Sequence, residues 1–124
     1  MIVIDSSGWI AFFGGQPLAK AYAPYVRRRD VVVPTVVLYE VYKVVKRDLS
    51  EDMALLVTAS MMEREVVPLA GELALDAAEI SLAHGLAMAD AIVYATAQAH
   101  GATVVTSDRH FRDLPDVGYL PRSA

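Results

Sequence analysis

The chain has 124 residues and no cysteine, which reads as one domain without disulfides, thiolate metal sites or a cysteine nucleophile, in keeping with a reducing cytoplasm. A hydrophobic share of 55% supports a large core and leaves apolar surface for self-association or a protein partner, yet charges interrupt every apolar run before it could span a bilayer. The net charge of −4, from 15 acids and 11 bases, argues against a nucleic-acid binder unless several of those acids are gathered around a metal.

Met1-Ile2-Val3-Ile4 has no basic leader and reads as a first strand over Ile2–Ile4 rather than a secretion signal. It ends on Asp5-Ser6-Ser7, and helices follow over Ser7–Phe13 and Leu18–Arg28, the latter running into Arg27-Arg28-Arg29. A second strand, Val31–Val33, leads through Pro34 into a helix over Val36–Arg47. The valines of that segment favour strand. Glu40, Lys43, Lys46 and Arg47, however, recur at three- and four-residue intervals and form one polar helical stripe, with Thr35 as the N-cap.

Ser50, followed by Glu51 and Asp52, caps a helix over Glu51–Glu63. A third strand is expected over Glu65–Val67, and a helix over Leu73–His84 stops at Gly85. Asp90 opens a helix over Ala91–His100 that stops at Gly101. Thr103–Val105 is a fourth strand leading to Thr106-Ser107-Asp108, and Val117–Leu120 adds an edge strand. Strands alternating with helices imply a three-layer α/β/α sandwich with a central parallel sheet, whose ligands bind beyond the carboxyl ends of the strands.

Asp5, Glu40, Asp90 and Asp108 would converge at that edge. A pair of carboxylates ~4 Å apart repels by about 4 kcal/mol at an effective dielectric near 20, so the group needs a cation or a shared proton. Hard, oxygen-binding Mg²⁺ or Mn²⁺ suits it. Each acid also has an ordinary reading: Asp5, Asp90 and Asp108 as turn formers or helix caps, and Glu40 as part of a solvated stripe with Lys43.

The flanking residues add a resemblance. Asp5-Ser6-Ser7, Pro34-Thr35 leading to Glu40, Ala89-Asp90-Ala91-Ile92 leading to Ala95-Thr96-Ala97, and Thr106-Ser107-Asp108-Arg109-His110-Phe111 together resemble the PIN-domain nucleases, above all VapC-type toxins of toxin–antitoxin pairs. The likeness spans essentially the whole chain, in order. It implies that Asp5 and Asp90 bind one or two Mg²⁺ or Mn²⁺ ions directly, with Glu40 and Asp108 acting directly or through water. Ser6 stands where the family often has Thr, and Thr106 is implied to orient a carboxylate or water.

RNA is the implied substrate of an endoribonuclease, and the implied partners are a second copy of the chain and a VapB-type antitoxin. The antitoxin's C-terminal segment would lie along the Met-rich helix Glu51–Glu63 and place a basic side chain near the acids. Lys43 at the rim and Arg109 and Arg112 after Asp108 are candidate phosphate contacts. His110 could touch substrate, whereas His84 and His100 sit at helix ends. Tyr39, Tyr42 and Trp9 could stack on bases, with core packing as the competing duty.

No side-chain nucleophile is needed for metal-assisted hydrolysis, and no G-x-S-x-G elbow accompanies the serines. Two other Mg²⁺ enzymes fit poorly. A dehalogenase-like phosphatase wants a second Asp where Ser7 stands, and a receiver domain wants a Lys where Thr106-Ser107-Asp108 stands. The remaining alternative is a catalytically inactive PIN-like module that binds RNA or protein; retention of all four acids argues against it.

Overall fold

The computed structural model describes residues 1–122. Its strands are β1 (Ile2–Ile4), β2 (Val32–Pro34), β3 (Glu65–Val67), β4 (Thr103–Thr106) and β5 (Val117–Tyr119). The helices are α1 (Ser6–Phe13), α2 (Ala19–Val26), α3 (Thr35–Asp48), α4 (Glu51–Met61), α5 (Gly71–His84) and α6 (Met88–Ala99), with a 3-10 turn at Arg109–Phe111.

Every strand pairing is parallel: β2 with β3, β1 with β4, and β4 with β5. A single parallel bridge between Ile2 and Val31 joins the two ladders, so the strands run in the order β3-β2-β1-β4-β5. The α/β architecture with a central parallel sheet is therefore the one the sequence implies. Val3, Ile4, Val33, Val104 and Val105 are buried in continuous runs rather than alternately, as strands covered on both faces require. Strand order reverses between β1 and β4, and at such a switch point a crevice opens at the carboxyl ends.

Helix α3 forms despite its valines because Val37, Val41 and Val45 fall on one stripe and are buried, while Lys43, Lys46 and Arg47 remain exposed. Its start differs from expectation. Pro34, extended at φ −64° and ψ 142°, occupies the N-cap, and Thr35 is already helical with no side-chain cap bond. Ser50 does cap α4, its hydroxyl accepting from the Met53 amide at 3.1 Å, and Gly85 ends α5 at φ 68°.

Helix α6 begins three residues earlier than the sequence suggests. Its N-cap is Ala87, and buried Leu86 and Ala91 flank the first turn at the positions of a hydrophobic staple. Asp90 thus sits inside that turn and does not cap it.

Arg64, just before β3, fastens the amino edge of the sheet. Its guanidinium lies 5.2 Å from the centre of the buried Trp9 ring and donates to the carbonyls of Ser60 and Val26, in the last turns of α4 and α2. Gly8 is required on α1, because a Cβ there would stand 2.5 Å from the Tyr22 ring and 2.7 Å from Ile4. No single helix among the described residues is long and apolar enough to cross a membrane.

Candidate active site

Asp5 follows β1 directly, and its amide continues the ladder by donating to the Val105 carbonyl at 3.0 Å. The side chain caps α1. One carboxylate oxygen accepts from the Ser6 amide at 2.8 Å and the other from the Thr106 hydroxyl at 3.0 Å. Thr106 in turn accepts from the Asp108 amide at 2.9 Å, so a single buried hydroxyl ties the loops after β1 and β4 together. Next to it, Tyr22 and Ser107 share a buried hydrogen bond of 2.6 Å between their hydroxyls.

Asp108 caps the 3-10 turn, accepting from the His110 amide at 2.9 Å. The same turn brings His110 Nδ1 to 3.0 Å from Asp108 Oδ1 and 4.0 Å from Asp90 Oδ2. One donor atom from each of Asp90, Asp108 and His110 lies within 4.8 Å of the others. Glu40 projects from the middle of α3, where the neighbouring Ser6 side chain favours its ionised form.

The electrostatics follow from this crowding. Burial pushes the Asp90 carboxyl up to about 7, with further pressure from Asp108, Asp5 and Glu40 and relief from His110. Asp5 is raised by burial and by Asp108, against the opposing hydrogen bonds of Thr106 and Ser6. Glu40 is raised by burial and by Asp5. Asp90 thus feels Asp108, Asp5 and Glu40 across the crevice, Asp5 feels Asp108 and Glu40 feels Asp5, while donor atoms at chelating separations among the described residues come from Asp90, Asp108 and His110.

Helix ends offset part of the repulsion, since Asp5 and Asp108 are N-caps and Asp90 lies in a first turn. Glu40 has no such help. A divalent ion fits the residues present, because two of the three donors at chelating separations, Asp90 and Asp108, are hard carboxylates and the third is the His110 imidazole.

Beyond Asp108, an open groove of about 850 Å³ is lined by Arg109, His110, Arg112, Tyr119 and Arg122 among others. Arg109 and Arg112, expected as phosphate contacts, are exposed along it, and Arg112 has only a loose partner in Asp113 at 3.8 Å. Lys43 is exposed one turn from Glu40, with its Nζ 5.6 Å from the centre of the Tyr39 ring. Trp9 is core, as its competing reading held, and Tyr42 is partly buried against the core, but Tyr39 is 62% exposed and open to contact.

His110, expected only as a substrate contact, faces Asp90 and Asp108. The signal was its two-residue spacing from Asp108, which a 3-10 turn converts into adjacency. Arg122 and the Tyr22–Ser107 bond left no comparable trace, because both depend on contacts between distant segments.

The family profile described as PIN domain matches residues 2–117. No curated protein matches the chain by sequence. Among solved structures, a toxin–antitoxin complex from Klebsiella pneumoniae is 20% identical with a TM-score of 0.81, covering 95% of this chain and 96% of the other. VapC20 of Mycobacterium tuberculosis, described as a sarcin-ricin loop cleaving toxin, is 19% identical with a TM-score of 0.74, covering 87% of this chain and 92% of its own. FitAcB from Neisseria gonorrhoeae is 23% identical with a TM-score of 0.74 over 98% of both chains. At these identities the likeness is one of fold.

Proposed function

Because this chain belongs to the PIN-domain family, we propose that it is a metal-dependent endoribonuclease, the toxin of a toxin–antitoxin pair, hydrolysing RNA phosphodiesters with water. The observation that carries this reading is the meeting of Asp5, Glu40, Asp90 and Asp108 at the carboxyl ends of β1 and β4. Asp5, Asp90, Asp108 and Glu40 would hold Mg²⁺ or Mn²⁺. When bound, the cation supplies Lewis-acid charge that acidifies water and offsets the charge of the scissile phosphate.

The chain's own residues do the rest. Thr106 and the Ser6 amide keep the Asp5 carboxylate in one orientation, and Thr106 also fixes the loop that carries Asp108. Asp90, its carboxyl pushed up to about 7 by burial, would present its carboxylate to the cation from the first turn of α6. Arg109, Arg112 and Lys43 offer the phosphate backbone exposed cations on two sides of the acids, and Tyr39 offers a base an exposed ring.

The partner reading draws on the toxin–antitoxin complexes among the structural neighbours and on the surface of α4. Met61 and Val57 belong to the core, but Leu55, Leu56 and Met62 are 54%, 68% and 56% exposed, and another face of the helix borders a groove lined by Phe13, Val44, Leu49 and Met53. An antitoxin of the VapB type would bury that surface. A homodimer would cover the separate apolar face of Leu75, Leu82 and Met88 on α5 and α6. A cytoplasmic setting for this chain suits its lack of cysteine.

The test is cleavage of RNA by purified protein in Mg²⁺ or Mn²⁺, with chelator, Asp5→Asn and Asp90→Asn as controls. Cleavage that survives chelation, or that the two variants retain in full, would sink the nuclease reading.

A further inference from the structure

We propose that His110 supplies a nitrogen ligand to the cation shared with Asp90 and Asp108, and that this nitrogen gives the site a preference for Mn²⁺ over Mg²⁺. The inference rests on the metal-dependent reading above and names a residue and a selectivity which that reading leaves open.

The geometry comes first. His110 Nδ1 stands 3.0 Å from Asp108 Oδ1 and 4.0 Å from Asp90 Oδ2, and the three residues each place a donor within 4.8 Å of the others. Donors bound at about 2.1 Å to a six-coordinate ion are separated by about 3 Å when adjacent and about 4.2 Å when opposite. The two separations measured from Nδ1, 3.0 and 4.0 Å, fall in that range.

The imidazole is also held in place. The His110 amide donates to the Asp108 carboxylate, and the following residue, Phe111, is fully buried, so the 3-10 turn that presents the ring is anchored on both sides. The ring itself is largely exposed, which leaves Nε2 to water while Nδ1 faces the acids. Nδ1 thus sits at hydrogen-bond distance from Asp108 and 4.0 Å from Asp90, so one imidazole faces carboxylates from two elements, the 3-10 turn and α6.

Ligand chemistry then sets the selectivity. Mg²⁺ takes oxygen donors and keeps its waters, so an imidazole adds little to its binding. Mn²⁺ stands above it as a nitrogen acceptor while still suiting carboxylate oxygens. An all-carboxylate site would leave the two ions near parity in nitrogen bonding; His110 breaks that parity.

The experiment uses the full chain loaded with Mn²⁺ and read by pulsed electron paramagnetic resonance, alongside calorimetric titration with Mn²⁺ and Mg²⁺. The expected result is a directly coordinated ¹⁴N signal that disappears in His110→Asn and persists in His84→Asn. The same His110→Asn variant should lose about tenfold in Mn²⁺ affinity and less than about twofold in Mg²⁺ affinity. Mn²⁺ binding that is lost in Asp90→Asn but carries no nitrogen coupling in the wild type overturns the role of His110 and leaves the metal site intact. Equal losses for the two ions overturn the selectivity. Absence of Mn²⁺ binding to the wild type overturns this inference and the metal-dependent reading together.

Discussion

The crevice at the carboxyl ends of the sheet and the Arg64 clasp at its amino edge both take charge out of water, with opposite consequences. Arg64 meets the carbonyl ends of two helices and the face of Trp9, so its charge is answered where it stands. In the crevice, Asp5, Glu40 and Asp90 are all displaced upward, first by burial and then by neighbouring acids. One region uses buried charge to fasten α2 and α4 to α1; the other keeps charge in a state that only a cation or a proton relieves. The clasp stands before β3, and the crevice stands after β1 and β4.

The sharpest way to break this comparison is to neutralise the crevice. Asp90→Asn should abolish at least about 99% of metal-dependent RNA cleavage, equivalent to about 2.7 kcal/mol of barrier. In the absence of metal the same variant should melt higher than wild type at pH 8, since it removes a repelled carboxylate. A variant that loses both activity and stability would show that Asp90 is a structural acid and would erase the contrast.

The converse change is Arg64→Met, which keeps the bulk over Trp9 and leaves the Ser60 and Val26 carbonyls without donors. A loss of about 2–3 kcal/mol in urea denaturation is expected, with cleavage per folded molecule unchanged. Arg64 Nε is buried without a partner, which keeps the expected figure from being larger.

Helix α1 belongs to both regions, because Asp5 caps it and Trp9 rides on it. Gly8→Ala would force its Cβ into the Tyr22 ring, whose hydroxyl holds Ser107 beside the site. Overpacking there should cost about 1–3 kcal/mol and lower cleavage as well. A thermal melt and an activity assay on one preparation would separate this joint effect from the two one-sided effects above.

These contrasts were unequally legible. Asp5 and Asp108 could be read from sequence because each follows a strand, and capping a helix leaves each of them beside the crevice. Glu40 was legible through the polar stripe on α3, which outweighed the valines once Val37, Val41 and Val45 found the core. Asp90 was found, but its helix start was misplaced because Ala87-Met88-Ala89 carries no capping side chain and the start is set by packing around Leu86. Arg64 left no signal, since between Glu63 and Glu65 it reads as one solvated charge among others. Its main partner, Val26, lies 38 residues away.

The pH dependence tests the crevice more gently. Asp90 has a folded pKa of about 7, above the ~3.9 of an unfolded Asp, so the folded state binds this proton more tightly. Its contribution to stability is complete below about pH 4 and is lost as pH rises through 7; Asp5 and Glu40 are shifted in the same direction. With chelator present, the melting temperature should fall between pH 5.5 and 8, and Asp90→Asn should flatten that fall. Saturating Mn²⁺ should restore the loss at pH 8 by binding the folded state alone.

The smallest effect belongs to an arginine that differs from Arg64 only in where it stands. Arg47 pairs with Asp48 through two hydrogen bonds of 2.8 and 3.1 Å, a better ion-pair geometry than anything Arg64 makes. Both partners are exposed, however, so water competes for the same bonds, salt screens the charges, and two long side chains must be ordered to make the pair. Arg47→Met should leave the urea midpoint unchanged within error, while Arg64→Met shifts it. If the two substitutions moved the midpoint equally, burial against Trp9 and the helix ends would not be what gives the clasp its strength, and the contrast with the crevice would reduce to a count of charges.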